Sequence, residues 1–333
     1  MSSSPRDYFL DLTPGKLSGL RRTSDASGRF KVLALDQTGV FHRAFGRDPV
    51  RIGRAKLELT RALGPHASAV LLDVVTSARQ ALHSEALPRD VGLVVRLEKS
   101  GEAGEIAVEE PGWSVAKIKR MGGDAVKLLV YMDVEDRRYT DAQMDFVERT
   151  SRACREEDVL LMAEALSFPR RERDEPDARS ARYLERRGRN ILKAAELIGP
   201  QADILKLEFP GEENLPALER AASRPWVLLS AGADYAIFKK QVEGAGKAGA
   251  SGMMAGRAIF KEWLDPASDH FQSDAFLSGE AVRRVRELAG IIDRGAVPWR
   301  ARYGLTPEEM ASRIALDWYA PGTKGTEAKG SMY

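Results

Sequence analysis

The sequence predicts an α/β protein, a (β/α)8 barrel with an N-terminal lead-in and C-terminal helices. Three observations carry that expectation. Eight short apolar, β-branched runs recur along the 333 residues, each is followed by a stretch with helical periodicity, and the runs are continuously apolar rather than alternating. Continuous hydrophobicity suits strands covered on both faces, which is the condition of a parallel sheet. An open, doubly wound sheet stays conceivable because periodicity does not report closure, but eight units ending in a ninth helical region favour the barrel.

In chain order, residues 1–29 form a lead-in that is predicted to hold a helix and a turn. The strands are predicted at Phe30 to Asp36, Ala69 to Leu72, Gly92 to Leu97, Ala125 to Tyr131, Leu160 to Leu166, Ile204 to Phe209, Trp226 to Ala231 and Gly252 to Ile259. Among the helices between them, Val115, Ile118 and Met121 share one face, as do Tyr235, Phe238, Val242 and Ala245. Two polar stretches break the repeat, Lys99 to Gly112 after strand three and the charge-dense Pro169 to Asn190 after strand five. Both follow strand C-termini, where barrel enzymes keep their sites, so they are candidates for a rim or lid as well as for plain solvated surface. Glu280 to Asp293 and Pro307 to Trp318 read as terminal helices and Ala320 to Tyr333 as a frayed end. Residues 30–333 thus make one domain, with no second one in view.

Composition excludes several classes of function. Hydrophobic residues at 43% and charged residues at 30% suffice for a core and argue against disorder. A net charge of +2 offers no field for a polyanion, so nucleic acid is not an expected partner. The N-terminus lacks a signal-peptide core and no run is long enough to span a bilayer, which places the protein in the cytoplasm with no membrane partner. Homo-oligomer formation stays open. The lone Cys154, in helical register with Met144, Val147 and Ser151, is expected to pack in the core. Its being single excludes an internal disulfide.

Charged residues inside apolar strands are the chemical signal, because burying them is costly unless they are paired or used. Asp36 ends strand one, Lys127 interrupts strand four, Glu164 strand five, and Lys206 and Glu208 strand six. Lys206 and Glu208 share a strand parity, so one face holds both, and parity does not say which face. Burial and a neighbouring cation, for which Lys127 is the candidate, disfavour an ammonium ion and free an amine for attack on a carbonyl. Glu164 would then carry protons, with Asp36 a second carrier or a hydroxyl-binding group. The bland alternative is two structural lysine–carboxylate pairs inside the barrel.

The stretches ALDQTGVF, EPGWSVAKIKRMGGDAVKLLVYMD, MAEALSF, DILKLEFP, LLSAGAD and GRAIF, in that order, resemble the class I aldolases of the tagatose-1,6-bisphosphate and sulfofructose-phosphate aldolase group. The resemblance runs from Leu17 to about Phe260 and is most specific between Trp113 and Asp133. It implies a Schiff-base aldolase that cleaves a phosphorylated ketose to dihydroxyacetone phosphate and an aldehyde. By the same resemblance Lys206 forms the Schiff base, Glu164 shuttles protons, Lys127 tunes and assists, and Asp36 with Gln37 lies near substrate hydroxyls. Ser230 and Gly232 after strand seven, and Gly256 and Arg257 on strand eight, match the group that holds the phosphate at the ketose C1 end. Barrels commonly bind phosphate on those loops, which gives the last placement an independent reason. Two departures stand out: Thr38 where many relatives carry arginine, and Asp73-Val74-Val75-Thr76 where they carry Pro-Glu-Tyr after the aspartate. Both bear on the aldehyde half of the substrate.

Other readings are another Schiff-base lyase or transaldolase-like enzyme acting on a sulfonated sugar phosphate, and a sugar-phosphate-binding regulator with the same fold. No cofactor and no metal site is expected. His42, His66, His83 and His270 lack the spacing of a zinc site. Gly244-Ala245-Gly246-Lys247-Ala248-Gly249 spells a dinucleotide fingerprint but closes a helix instead of opening one.

Overall fold

The strands join in chain order into a closed ring, β1 (Phe30–Ala34), β2 (Ala69–Asp73), β3 (Gly92–Arg96), β4 (Ala125–Met132), β5 (Leu160–Ser167), β6 (Ile204–Leu207), β7 (Trp226–Leu229) and β8 (Gly252–Ala255). Every pair is parallel, and β8 closes on β1 with Phe30 opposite Gly252 and Leu33 opposite Ala255. The expected barrel is therefore the observed fold, here in a computed structural model that describes residues 12–170, 181–304, 306, 308 and 309.

Around the ring stand α1 (Pro14–Thr23), α2 (Gly39–Phe45), α3 (Pro49–Leu63), α4 (Ala78–His83), α5 (Val115–Met121), α6 (Arg137–Glu156), α7 (Ala181–Ile198), α8 (Leu215–Ala221), α9 (Tyr235–Lys247), α10 (Arg257–Leu264), α11 (Val282–Gly295) and α12 (Trp299–Tyr303). Several begin where a side chain satisfies free amides: Asp48 caps α3 by accepting from Val50 and Arg51, Ser114 caps α5, and Asp136 caps α6. Cys154 is buried on α6 beside Val147 and Ser151, as its spacing suggests. The glycine string 244–249 ends α9, and Gly249 turns the chain with a φ of 87°. The helix expected at Glu280 to Asp293 is α11, entered through a π turn at Leu277–Ala281. The helix expected at Pro307 to Trp318 and the end from Ala320 lie outside the described residues, apart from Glu308 and Glu309.

Two apolar layers share the strands by parity. One parity, with Leu33, Val70, Val95, Leu128, Ala163 and Leu205 among its members, faces the helices. The other points inward, where Phe30, Val32, Ala69, Ala125, Leu160 and Ile204 fill the lower barrel and meet Leu20 of α1 and Trp299 of α12. The buried Lys16–Asp203 pair, 2.9 Å apart, anchors α1 across that lower end. The lower barrel is thus plugged with hydrocarbon, and side chains further along the same inward rows must stand above it.

Candidate active site

The inward rows change from apolar to charged one step toward the strand C-termini. Asp36, Arg96, Glu98, Lys127, Glu164 and Lys206 follow Ala34, Val94, Ala125, Met162 and Ile204 at two-residue spacing, and all six line one cavity of about 440 Å³ at the barrel mouth. Register sets neighbours: Arg96 lies beside Lys127, and Glu164 beside Lys206. Parity left the face of Lys206 and Glu208 undecided, and it is the inner one.

Lys127, 1% exposed, is the hub. Its Nζ lies 2.7 Å from Glu98 Oε1, 2.9 Å from Glu164 Oε2 and 3.0 Å from Asp36 Oδ2. Lys206 Nζ donates to the same Glu164 Oε2 at 2.8 Å, so one carboxylate oxygen serves both lysines. Lys127, Lys206, Asp36 and Glu164 were singled out by sequence, and the structure brings them into one network with Glu98 instead of separate pairs.

Electrostatics separates the carboxyls. Burial pushes Asp36 up, but Lys127, Lys206 and Arg96 outweigh it and hold the group well below the usual carboxylate range. Burial also pushes Glu98 up, and there it prevails over Lys127 and Arg96. Burial would lower Lys127, yet Asp36, Glu164 and Glu98 raise it well above an ordinary lysine, so it is a permanent cation.

Arg96 and Glu98 were not among the expected site residues. For Arg96 the signal was available, since it interrupts the strand-three run as Lys127 does in strand four, whereas Glu98 lies one residue past the expected end of that run. Arg96 donates through Nη1 to the Asp36 carbonyl and, at 3.1 Å, to Thr38 Oγ1. Its Nε, Glu98 Oε2 and Gln37 Oε1 are buried without a hydrogen-bond partner among the described residues. Tyr131 also lines the cavity and rests edge-on against Phe168.

On the opposite wall, Ser230 follows β7, and Ala231 and Gly232 then take positive φ values of 47° and 78°. The Arg257 guanidinium packs where a Cβ on Gly232 would sit, 3.1 Å from that point. The expected strand eight is too long: it ends at Ala255, Gly256 makes a turn, and Arg257 opens α10. Gly256 passes so close to β1 that a Cβ there would lie 2.4 Å from the Ala34 carbonyl oxygen, so only glycine fits. Ser230, Gly256 and Arg257 line the main cavity, and Gly232 lines an adjoining recess with Arg257.

Two sequence-selected positions separate here. Thr38 lines the cavity, whereas Asp73 does not. Asp73 is held by Lys56 at 2.6 Å, by the Ser77 hydroxyl and by the Val75 and Thr76 amides, so it organises the chain after β2. Glu208 reaches the cavity wall but is engaged by Arg187 and the Ser167 amide. Of the rim stretches, Lys99, Ser100 and Gly101 line the cavity, while 171–180 lie outside the described residues. No histidine lines the cavity, and among the described residues no cluster of three His, Cys, Asp or Glu is arranged to hold a metal. No described helix is long and apolar enough to cross a membrane.

Comparison with known proteins identifies the family. The chain is similar to tagatose 1,6-diphosphate aldolase 2 of Enterococcus faecalis, 28% identical over 328 residues, covering 88% of this chain and 98% of the relative. It is similar also to tagatose 1,6-diphosphate aldolase 1 of Streptococcus mutans, 26% identical, covering 88% of this chain and 100% of the relative. A solved Schiff-base-forming fructose-1,6-bisphosphate aldolase shares the fold with a TM-score of 0.57 at 20% identity, covering 83% of this chain and 99% of that one. The family model for DeoC/LacD family aldolases matches residues 30–262, from the first residue of β1 into α10. Because that match takes in every strand that builds the cavity, the chain belongs to the DeoC/LacD family of aldolases.

Proposed function

We propose that Lys206 is the amine that forms the Schiff base, and that the substrate is a phosphorylated ketose cleaved to dihydroxyacetone phosphate and an aldehyde. The observation that carries this reading is the shared Glu164 oxygen, within hydrogen-bond distance of Lys206 on one side and of the permanent cation Lys127 on the other. Lys206 Nζ attacks the ketone carbon, and Glu164 supplies the proton with which the carbinolamine oxygen leaves as water. The C4 hydroxyl then gives its proton to the Glu164 carboxylate, the C3–C4 bond breaks, and its electron pair moves into the iminium to give an enamine. Protonation at C3 and attack by water release dihydroxyacetone phosphate and restore the amine.

Lys127 keeps Glu164 and Asp36 in position and offsets their charge. Asp36, held ionised, accepts from a substrate hydroxyl, with Gln37 beside it. Ser230, Gly232, Gly256 and Arg257 hold the C1-side phosphate through a guanidinium and open backbone. The similarity to tagatose 1,6-diphosphate aldolases supports a ketose bisphosphate as first substrate to try. Thr38 in place of an arginine favours testing a sulfonated sugar phosphate as the second. We also take residues 30–333 as one domain behind the lead-in 1–29, acting in the cytoplasm on a free metabolite.

Borohydride treatment with dihydroxyacetone phosphate tests the assignment. The reduced adduct is expected on the peptide containing Ile204 to Glu208, with Lys127 unmodified and Lys206→Ala folded but unlabelled. Label on Lys127 would exchange the two roles, and label on neither would end the Schiff-base assignment. Mass analysis of products from ketose bisphosphates and sulfonated analogues identifies the aldehyde half, and absence of turnover with all of them would favour a binding regulator.

A further inference from the structure

Among the described residues, six cationic side chains and four carboxylates line the catalytic cavity, so positive side chains outnumber negative ones there. Lys127 and Lys206 have carboxylate partners, and Arg96 is tied to Asp36 and Thr38. Arg43, Lys99 and Arg257 have no hydrogen bond or ion pair through their side chains among the described residues. Their charge is the part of the wall left for an anion.

These three are not evenly spread. Arg43 and Arg257 both line the catalytic cavity and also the adjoining recess of about 500 Å³ that contains Gly232. They come from neighbouring sectors of the ring, since β8 pairs with β1, Arg257 follows β8, and Arg43 lies on the helix after β1. Lys99 follows β3 and lines the other side.

Arg43 is also held in place by its helix. Phe41 and Phe45 anchor α2 in the core, Phe41 under the Lys56 ammonium and Phe45 against Trp263 of α10. Val40 and Arg43, three residues apart on the remaining face, are the α2 residues that both cavities share. The helix that carries Arg43 is thus docked on the helix that Arg257 opens. The recess is lined also by Lys261, Glu262 and Asp265, of which Lys261 pairs with Asp234, Glu262 pairs with Arg284 and Asp265 accepts from the Ala267 amide, so among the described residues the two guanidiniums are the cations of the recess without an acidic partner.

We propose that Arg43 is a second phosphate-binding residue, meeting the C1-side phosphate across the recess from Arg257. This rests on the reading that the phosphate lies at Ser230, Gly232, Gly256 and Arg257, and it adds a residue that the sequence did not suggest.

The test uses the full chain with Arg43→Gln, Arg257→Gln and Lys99→Gln, inorganic phosphate as a calorimetric probe, and steady-state kinetics on a turned-over ketose phosphate. Arg43→Gln and Arg257→Gln are each expected to weaken phosphate about ten- to a hundredfold, as for loss of a charge-assisted contact. The Arg43→Gln loss should fall on KM more than on kcat, Arg43→Lys should recover part of it, and Lys99→Gln should change phosphate affinity less than threefold. If Arg257→Gln weakens phosphate and Arg43→Gln does not, the Arg43 proposal is overturned and the phosphate reading stands. If neither weakens it, both are overturned. Equal losses in all three variants would show a general field instead of a contact and would also overturn the role of Arg43.

Discussion

Replacing Lys127 by methionine removes the charge but nearly keeps the volume, and it leaves Asp36, Glu98 and Glu164 around an apolar side chain. Their oxygens now sit 2.7 to 3.0 Å from one nitrogen, which makes them close neighbours of each other. Two carboxylates some 4 Å apart repel by about 4 kcal/mol at an effective dielectric near 20. The alternative is to take up a proton, which at pH 7 costs about 1.4 kcal/mol for each of roughly three pH units, again about 4 kcal/mol. Either route gives a loss near the ~3 to 5 kcal/mol expected when a buried ion pair loses one member.

The pH dependence distinguishes this cause from simple misfit. The folded variant holds a proton that its unfolded chain does not, so its stability should rise by about 1.4 kcal/mol for each unit the pH falls from 7 toward 5. In the natural protein neither main partner titrates in that window. The raised Lys127 contributes stability that is fully present below its ordinary 10.5 and lost only as pH climbs through the folded value. The depressed Asp36 contributes stability present above its ordinary 3.8 and lost only as pH falls through the folded value. Urea unfolding of both proteins at pH 5, 6 and 7 measures the difference. Parallel stability curves, with a gap that does not close toward pH 5, would refute the charge argument.

Glu98 titrates the other way: its folded pKa is raised, so it subtracts stability as pH rises from its ordinary 4.5 through the folded value. Glu98→Gln should therefore melt no lower than the natural protein at pH 8, with any gain vanishing below pH 4.5, and a much lower melting temperature at pH 8 would contradict the shift. Gly256→Ala should cost about 1 to 3 kcal/mol in urea unfolding and displace Gln37, because the new methyl meets the Ala34 carbonyl and Gln37 Nε2; an unperturbed variant would mean the two strands are not that close. Aldolase activity should survive prolonged EDTA, since the proposed iminium on Lys206 would take the place of a Lewis acid. Loss of activity that added zinc restores would remove Lys206 from its proposed role.

All eight strands begin at the residue where the sequence places them, because each starts where a stretch covered on both faces begins. Their ends were harder to read. At the mouth the chain leaves the sheet while still apolar, so the run through Ile259 passes without a break from β8 into a helix whose Ala258, Ile259 and Phe260 are equally buried. Hydrophobicity registers burial, and both elements are buried there. The two lysines with Glu164 and Asp36 were legible as charges inside apolar runs. Glu98 was missed because it sits one residue past the expected end of β3, beside the polar stretch from Lys99, where a charge attracts no notice. Which face held Lys206 required the register, since strand parity is symmetric between inside and outside.

The seam between β1 and β8 sets a timetable for synthesis. More than 200 residues separate Phe30 from its partner Gly252. At about 5 to 20 residues per second, roughly 10 to 40 seconds pass on the ribosome between the two. For that interval one side of β1 is an unsatisfied edge, the kind of surface that recruits foreign strands. Arg257 emerges only after Gly252, so the last cation of the cavity wall joins the nascent chain when the ring is ready to shut.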